Sequence, residues 1–350
     1  MAEYISFQPS DFFSTKLYTG NGTAIGSGGN AITGVGFQPD FTWIKNRGTQ
    51  GNQNFDSVRG ATEVIWSDDS GAEVTRAESL TTWGADGFTC GSDGDVNTNT
   101  QTYVSWNWKA GTTTGITTDG STTITPSAYS FNATSKCSIL QYSGNGSAGA
   151  KVAHGLGVAP TFIVIKRTDA TAHWTIYHHS LGNEYKLYLN NDYAKTDDVG
   201  AWNDTSPDTV NFTLGVESDV NNSSGTYVAY CFADTRGYFK SGEFIGNGNA
   251  DGTFVYTGFR PAWIVLKISN TTGDWYLYDS KRLGYNIDNN PLYPNSTQAA
   301  GTSNDLNMLA NGFKLISTNG QINGSGNTIT YVAFAANPMV NASGVPGNAR

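Results

Sequence analysis

The stretch Gly157-Val158-Ala159-Pro160-Thr161-Phe162-Ile163-Val164-Ile165-Lys166 decides the fold, because the chain repeats its pattern three times. The other copies read Gly36-Phe37-Gln38-Pro39-Asp40-Phe41-Thr42-Trp43-Ile44-Lys45 and Gly258-Phe259-Arg260-Pro261-Ala262-Trp263-Ile264-Val265-Leu266-Lys267. Each copy opens with Gly-Asn-Gly, at 20–22, 144–146 and 246–248, and closes on Tyr-Val, at 103–104, 227–228 and 331–332. The prolines recur at intervals of 121 and 101 residues, which predicts three units of domain size rather than short solenoid repeats.

The same segments indicate the fold class. The unbroken apolar runs at 162–165 and 263–266 are typical of strands covered on both faces. With 42 Gly among 350 residues and only 14% charged residues, the chain favours short strands joined by tight turns. We therefore predict an all-β fold of three tandem β-sandwich or jelly-roll-like domains with short connecting segments.

The repeat also sets the expected boundaries. We place the domains at 1–112, with an N-terminal arm, at 137–238 and at 239–338, followed by a C-terminal arm at 339–350. The Thr/Gly-rich segment 113–136 is either a linker or an extra strand. No helix pattern follows the Gly-Asn-Gly motifs, so we interpret them as tight hairpin turns rather than phosphate loops.

Composition excludes several classes of function. The net charge is −9 and Lys and Arg form no cluster, so we expect no nucleic-acid partner. No apolar run approaches the roughly 20 residues of a membrane span, and the first residues do not predict a signal peptide. Cys90, Cys137 and Cys231 fit no metal spacing, and Cys231, which aligns with Ala335, is expected to be a small apolar residue. We expect no cofactor.

The candidates for metal binding and catalysis are few. His178-His179 aligns with Asp56-Ser57 and Asp279-Ser280, and neighbours on a strand point to opposite faces, so we predict no metal site. Glycoside hydrolysis needs paired carboxylates, and polar loops offer several; we interpret them as solvated surface acids and expect no catalytic residue. These candidates are Asp68, Asp69, Glu73, Glu78, Asp197, Asp198 and Glu217.

Aromatic residues in polar surroundings are the remaining signal. Trp66, Trp83, Trp202 and Tyr293 have Asn, Asp or Ser neighbours, and a flat ring beside short polar side chains can stack a sugar. The alternative is that these rings hold loops onto the sandwiches or lie at an interface.

Several longer stretches carry a family resemblance. They are Phe7-Gln8-Pro9-Ser10-Asp11-Phe12-Phe13, Gly34-Val35-Gly36-Phe37-Gln38-Pro39-Asp40-Phe41, Phe55-Asp56-Ser57-Val58-Arg59-Gly60, Trp106-Asn107-Trp108-Lys109-Ala110-Gly111, His154-Gly155-Leu156-Gly157-Val158-Ala159-Pro160 and Gly344-Val345-Pro346-Gly347-Asn348-Ala349-Arg350. Through them the chain resembles, end to end, an uncharacterised family of tailed-bacteriophage proteins, abundant in marine phages and usually described as tail-fibre or virion structural proteins.

The resemblance implies a late structural protein, assembled in the host cytoplasm and carried in the virion. We expect a non-enzymatic tail-fibre or receptor-binding component, a homotrimer that contacts other virion proteins and a host-surface glycan. A capsid decoration or head-fibre protein is the first alternative, and a polysaccharide-depolymerising tailspike is the second.

Overall fold

Strands dominate the computed structural model, which describes residues 7–283 and 290–338, and the predicted all-β class is confirmed. The arm predicted at 339–350 lies outside the described residues. The α-helices of the described chain are single turns: α1 (Gly94–Asn97), α2 (Val199–Trp202), α3 (Ser218–Asn221) and α4 (Gly320–Asn323). Short 3-10 helices span Pro9–Asp11, Ile25–Ser27 and His179–Leu181.

The strands follow the three sequence copies. The first copy contains β1 (Phe13–Thr19), β2 (Asn30–Thr33), β3 (Phe41–Asn46), β4 (Asn52–Asp56), β5 (Glu63–Trp66), β6 (Val74–Thr75), β7 (Leu80–Gly84), β8 (Gly87–Cys90) and β9 (Thr102–Trp108). The segment 113–136 contains β10 (Ala128–Asn132). The second copy contains β11 (Cys137–Ser143), β12 (Ala150–Ala153), β13 (Phe162–Arg167), β14 (Trp174–His178), β15 (Tyr185–Tyr188), β16 (Thr196–Asp197), β17 (Asn211–Leu214) and β18 (Thr226–Phe232). The third contains β19 (Phe239–Ile245), β20 (Phe254–Tyr256), β21 (Pro261–Ile268), β22 (Trp275–Asp279), β23 (Leu306–Leu309), β24 (Gly312–Leu315) and β25 (Thr328–Ala335).

Each copy builds an antiparallel inner sheet with the same strand order. The closing Tyr-Val strand lies between the opening strand and the Pro-to-Lys strand, as in β1-β9-β3-β4, β11-β18-β13-β14 and β19-β25-β21-β22. A smaller outer sheet packs behind it, formed by β2-β8-β7, β12-β17 and β20-β24-β23. The segment 113–136 contributes β10, which adds to the free edge of β11, and a bridge between Ile124 and Val152.

The three inner sheets face one another across a common core. Trp108, Phe232 and Phe334 lie at or next to the last position of the three closing strands, and their ring centroids are 5.5 to 6.4 Å apart. The opposite faces of the inner sheets pack on the outer sheets in three separate clusters. Each copy therefore has a cluster of its own, and the largest cluster draws on all three copies. The copies are therefore arranged around one approximate threefold axis.

This double coverage explains the unbroken apolar runs. Successive side chains of a strand point to opposite faces, so Val164 reaches the common core while Ile163 and Ile165 reach the cluster behind the sheet. The prediction that these strands are covered on both faces is confirmed.

The Gly-Asn-Gly motifs are not hairpin turns, contrary to our interpretation. After Thr19, Ser143 and Ile245 the chain leaves the inner sheet and enters the outer sheet, so each motif connects two layers. A fully buried asparagine holds each connection through its side-chain oxygen, which accepts from the backbone N–H of the motif's central Asn at 2.9 to 3.1 Å. These asparagines end the helical turns and are Asn97, Asn221 and Asn323.

The assembly has two different ends. At the arm end, Phe13 follows the first described segment, and Ser10 N–H donates to Asn337 Oδ1 at 2.8 Å, so the two terminal segments lie together. At the loop end, about 20 Å away along the strands, lie the Gly-Asn-Gly connections.

Candidate functional site

The three copies are joined at seams by equivalent lysines. Lys45, Lys166 and Lys267 are fully buried, and each ammonium donates to a backbone carbonyl of its own hairpin turn. Each also donates to a neighbouring copy: Lys45 to Thr297 O at 3.3 Å, Lys166 to Ser70 O at 3.0 Å and Lys267 to Asp192 O at 3.1 Å. The first copy thus binds the third, the third binds the second, and the second binds the first.

Burial lowers the pKa of all three lysines to about 8, because water is removed from the charged form. The carbonyl oxygens replace part of that hydration, which is why an ammonium is tolerated beside an apolar core.

A second set of equivalent contacts crosses the same seams. The carbonyl oxygens of Trp66, Tyr188 and Tyr293 accept hydrogen bonds from Trp174 Nε1 at 2.8 Å, Trp275 Nε1 at 2.9 Å and Asn52 Nδ2 at 3.0 Å. We call Trp66, Tyr188 and Tyr293 the seam aromatics. All three are half-buried, and their backbone is fixed by these contacts.

The ring of Trp66 lies beside charged groups. The Arg76 guanidinium carbon is 4.8 Å from the ring centroid, and Arg76 also pairs with Asp93 and Asp95 at 3.2 and 3.1 Å. A cation therefore lies over the ring of Trp66, and that cation is held by two carboxylates.

The rings of Tyr188 and Tyr293 also have polar neighbours. Tyr188 contacts the His173 ring, with centroids 4.5 Å apart, and lies 4.9 Å from Lys186 Nζ. Tyr293 packs edge-on against Tyr276 with centroids 5.3 Å apart. Aromatic rings held beside hydrogen-bonding groups are suited to stacking a sugar and binding its hydroxyls.

Two of the four predicted glycan-binding residues, Trp66 and Tyr293, thus occupy equivalent seam positions, and their third equivalent, Tyr188, was missed. The dipeptides Ile65-Trp66, Leu187-Tyr188 and Leu292-Tyr293 align across the copies and would have revealed it. Tyr188 stands between Leu187 and Leu189, so it reads as a core residue in the sequence.

The other two candidates lie elsewhere. Trp202 ends α2 and is only 1% exposed, with its ring edge-on to Tyr177 at 5.6 Å. A ring covered on both faces has no face to offer a sugar, so Trp202 is a core residue of the second copy. Trp83 is half-buried in β7 and packs on the cluster behind the first inner sheet, away from the seams.

The carboxylates proposed for hydrolysis are mostly engaged in structural contacts. Lys186 donates to Asp198 at 2.6 Å and to Glu217, so both acids share one cation. Burial raises the pKa of Glu217. Burial also disfavours the ionised form of Asp198, but hydrogen bonds from Lys186 and from Gly200 N–H outweigh it, so the pKa of Asp198 is lowered. Asp197 is exposed in β16.

The remaining acids of that set lie in the first copy. Asp68 Oδ1 accepts from Asn52 N–H at 2.5 Å, and burial raises the pKa of Asp68. Glu73 pairs with Arg59 at 2.7 Å. Glu78 accepts from the N–H groups of Ser92 and Ile25, which lower its pKa. Asp69 accepts from Gly71 N–H at 3.1 Å.

The histidine pair differs from our expectation. The rings of His178 and His179 lie 5.5 Å apart and nearly parallel, because the strand ends at His178 and a 3-10 helix begins. His178 contacts Tyr331 O across a seam at 3.1 Å, and burial lowers its pKa to about 4. Within residues 7–283 and 290–338, no group of three His, Cys, Asp or Glu side chains could hold a metal ion.

His178 replaces a buried ion pair of the other copies. Asp56 pairs with Arg59, and Asp279 with Arg282, at 2.6 Å in each case. Leu181 occupies the arginine position in the second copy. The position aligned with Asp56 therefore stabilises the fold by a different interaction in that copy.

Comparison with known proteins identifies the family. The chain belongs to the family described as Domain of unknown function (DUF7483), whose model matches residues 8–338. No curated protein matches the chain. No helix of the described residues is long and apolar enough to cross a membrane.

Proposed function

We propose that this member of the family is a non-catalytic structural protein of a bacteriophage particle, and that it acts as a tail-fibre or receptor-binding component. It would be assembled in the host cytoplasm, contact other virion proteins through its arm end, and bind a host-surface glycan through its seam aromatics. The resemblance in sequence supports the phage assignment, and the seams support the glycan.

The observation that carries the glycan assignment is the equivalence of the three rings. Trp66, Tyr188 and Tyr293 present half-buried aromatic surface at corresponding places around one axis, each held by a hydrogen bond from the next copy. Rigid, repeated sites suit a repetitive polysaccharide, because several weak contacts combine into stronger overall attachment. A single chain already supplies the threefold presentation that a homotrimeric fibre would provide.

A capsid decoration or head-fibre protein is the second candidate, and one observation favours it. Three equivalent units share one core, and both terminal segments meet at the same end. A unit of this symmetry matches a threefold position on a shell, and the arm end would face that shell. We do not extend the proposal to polysaccharide cleavage, because Asp198 and Glu217 both bind Lys186.

The first test combines location with adsorption. Virions are imaged with a gold-labelled antibody against the protein, and purified protein is added as a competitor of phage adsorption. Label on the tail with inhibited adsorption is the expected result. Antibody label across the head would contradict the tail-fibre assignment and support a capsid decoration protein. Absence of the protein from virions would overturn both assignments.

The glycan assignment has its own variants. Host polysaccharide binding is measured for Trp66→Ala, Tyr188→Ala and Tyr293→Ala, alone and combined, with Trp83→Ala as a matched half-buried control. Each seam substitution should weaken binding by about fivefold, since stacking on one ring is worth about 1 kcal/mol. Equal binding by the triple variant and the control would contradict the assignment.

A further inference from the structure

The three seams have equivalent crevices at the arm end, and the first is filled by the chain itself. Between the first and second copies, β10 adds to β11 and places the buried Ser130 in the crevice. Ser130 Oγ donates to Asp40 Oδ1 at 3.0 Å and accepts from Gly111 N–H at 2.8 Å. An extended strand with a short polar side chain therefore fits this position.

A carboxylate fills the second crevice, between the second and third copies. Asp234 Oδ1 accepts from Ser241 N–H at 2.9 Å, Ser241 Oγ at 2.7 Å and Thr161 Oγ1 at 3.1 Å, and Asp234 Oδ2 pairs with Lys240. The donors come from the edge strand β19 and from the neighbouring copy. An acidic side chain is thus the group that this kind of crevice binds within the same molecule.

The third crevice, between the third and first copies, is a cavity of about 240 Å³. Ser14 and Thr15 of β1 line one side, and Ala262, Ser280 and Lys281 line the other. Phe13 and Phe239 start equivalent strands, so Thr15 occupies the position of Ser241. Thr15 is 8% exposed, and its Oγ1 has no hydrogen-bond partner in the part of the chain that the structure describes.

We propose that this crevice is a docking site for an extended, acidic segment of another polypeptide. The segment would add antiparallel to β1, as β10 adds to β11, and place a carboxylate where Ser130 and Asp234 lie in the other crevices. The N–H and hydroxyl of Thr15 correspond to the two Ser241 donors that hold Asp234. Lys281 supplies the positive charge that Lys240 supplies there. This docking site is separate from the seam aromatics and does not depend on their proposed role.

The chain provides its own probe. A fluorescein-labelled peptide of residues 126–134, with Ser130→Asp, is titrated with the full-length protein and followed by fluorescence anisotropy. We expect saturable binding at one site per chain. The unaltered peptide should bind about tenfold more weakly, as loss of a charge-assisted contact predicts. A Ser130→Pro peptide should not bind, because proline removes the N–H that faces the edge strand.

Substitutions in the protein locate the site. Lys281→Met should weaken binding of the Ser130→Asp peptide by about tenfold and leave binding of the unaltered peptide unchanged. Lys281 is exposed, so the substitution tests its charge alone. Thr15→Val should weaken the binding of both peptides. Ser280→Tyr should abolish the binding of both, because the larger side chain fills the cavity. Far-ultraviolet circular dichroism confirms that each variant is folded.

Three results would overturn the proposal. One is no binding of the Asp peptide at about 1 mM, a concentration that detects contacts of only about 4 kcal/mol. Another is binding that Lys281→Met and Ser280→Tyr leave unchanged. The third is binding that emerges only after residues 339–350 are deleted, because the crevice would then belong to the chain's own arm.

Discussion

The seam lysines give the sharpest test of how the three copies hold together, and Lys267→Met is the informative substitution. Lys267 Nζ donates to Asp192 O at 3.1 Å, Ile268 O at 2.9 Å and Gly273 O at 2.8 Å. Two of these carbonyls lie in the third copy and one lies in the second. Methionine keeps an unbranched apolar stem but cannot donate to any of them.

The expected magnitude follows from two opposing effects. Three carbonyls lose a donor, two of them in buried residues and one in a half-buried residue, and each loss costs about 2 kcal/mol. The substitution also removes a buried ammonium whose pKa falls to about 8, and this relieves about 3 kcal/mol. The net expectation is a loss of about 3 kcal/mol in the free energy of unfolding. For a chain of 350 residues, that loss corresponds to a fall in Tm of about 4 °C.

The assay is urea unfolding at pH 7, followed by tryptophan fluorescence and circular dichroism. Lys314→Met is the matched control, because Lys314 forms an exposed pair with Asp251 and its loss should cost under about 1 kcal/mol. A Lys267→Met protein within 1 kcal/mol of the unsubstituted protein would refute the reasoning. So would separate unfolding of the third copy in the unsubstituted protein, since the core is shared.

Two further predictions concern the buried histidines of the second copy. Burial lowers the pKa of His154 and His178 to about 4, so the unfolded chain takes up protons first as the pH falls below 6.5. The free energy of unfolding should therefore fall between pH 7 and pH 5 by about 2 kcal/mol for each histidine. Urea unfolding of His178→Gln at several pH values should show about half of this pH dependence. A variant whose free energy of unfolding falls as steeply with pH as that of the unsubstituted protein would contradict the prediction. His178→Asp alone buries an unpaired carboxylate and should lower the free energy of unfolding by about 4 kcal/mol. Adding Leu181→Arg recreates the ion pair of the other copies and should recover at least half of that loss. A double variant no more stable than the single one would show that the seam contact, rather than the ion pair, determines stability at this position.

The sequence was informative wherever local chemistry alone determines structure. Unbroken apolar runs require cover on both faces, so the all-β class and the doubly covered strands were predictable from runs such as 162–165. The sequence did not predict what packs against the inner face of each sheet, because an apolar strand packs equally well on its own domain or on another. The residues that meet at the common core, such as Trp108, Phe232 and Phe334, are more than 100 positions apart.

The Gly-Asn-Gly motifs show the same limit. We predicted turns because glycine favours positive φ, and the glycines at positions 22, 146 and 248 do have φ near +70°. A turn residue does not specify which strand the chain joins next. That choice depends on buried asparagines such as Asn221, about 75 residues away in sequence.

Local composition was a poor guide to exposure. Trp202 stands beside Asn203 and Asp204 and reads as a loop residue, yet a helical turn directs its ring into the core. Tyr188 has apolar neighbours and so looks like a core residue in the sequence. It nevertheless lies half-buried at a seam, because it is the last residue of β15 and its carbonyl meets the third copy. The neighbours of a residue along the chain report its burial only where the backbone conformation is already known.

Comparison among the three copies separates what the fold requires from what one copy alone does. The buried lysines and the asparagines behind the Gly-Asn-Gly motifs recur in every copy, because the interlocked seams and layer connections need them three times. The arm-end crevices do not recur: one holds a strand, one holds a carboxylate, and one is a cavity. A threefold fold has no structural reason to treat three equivalent crevices differently. The difference therefore points to contacts that break the symmetry, and the crevice where Thr15 Oγ1 lacks a partner is the place where another chain would enter.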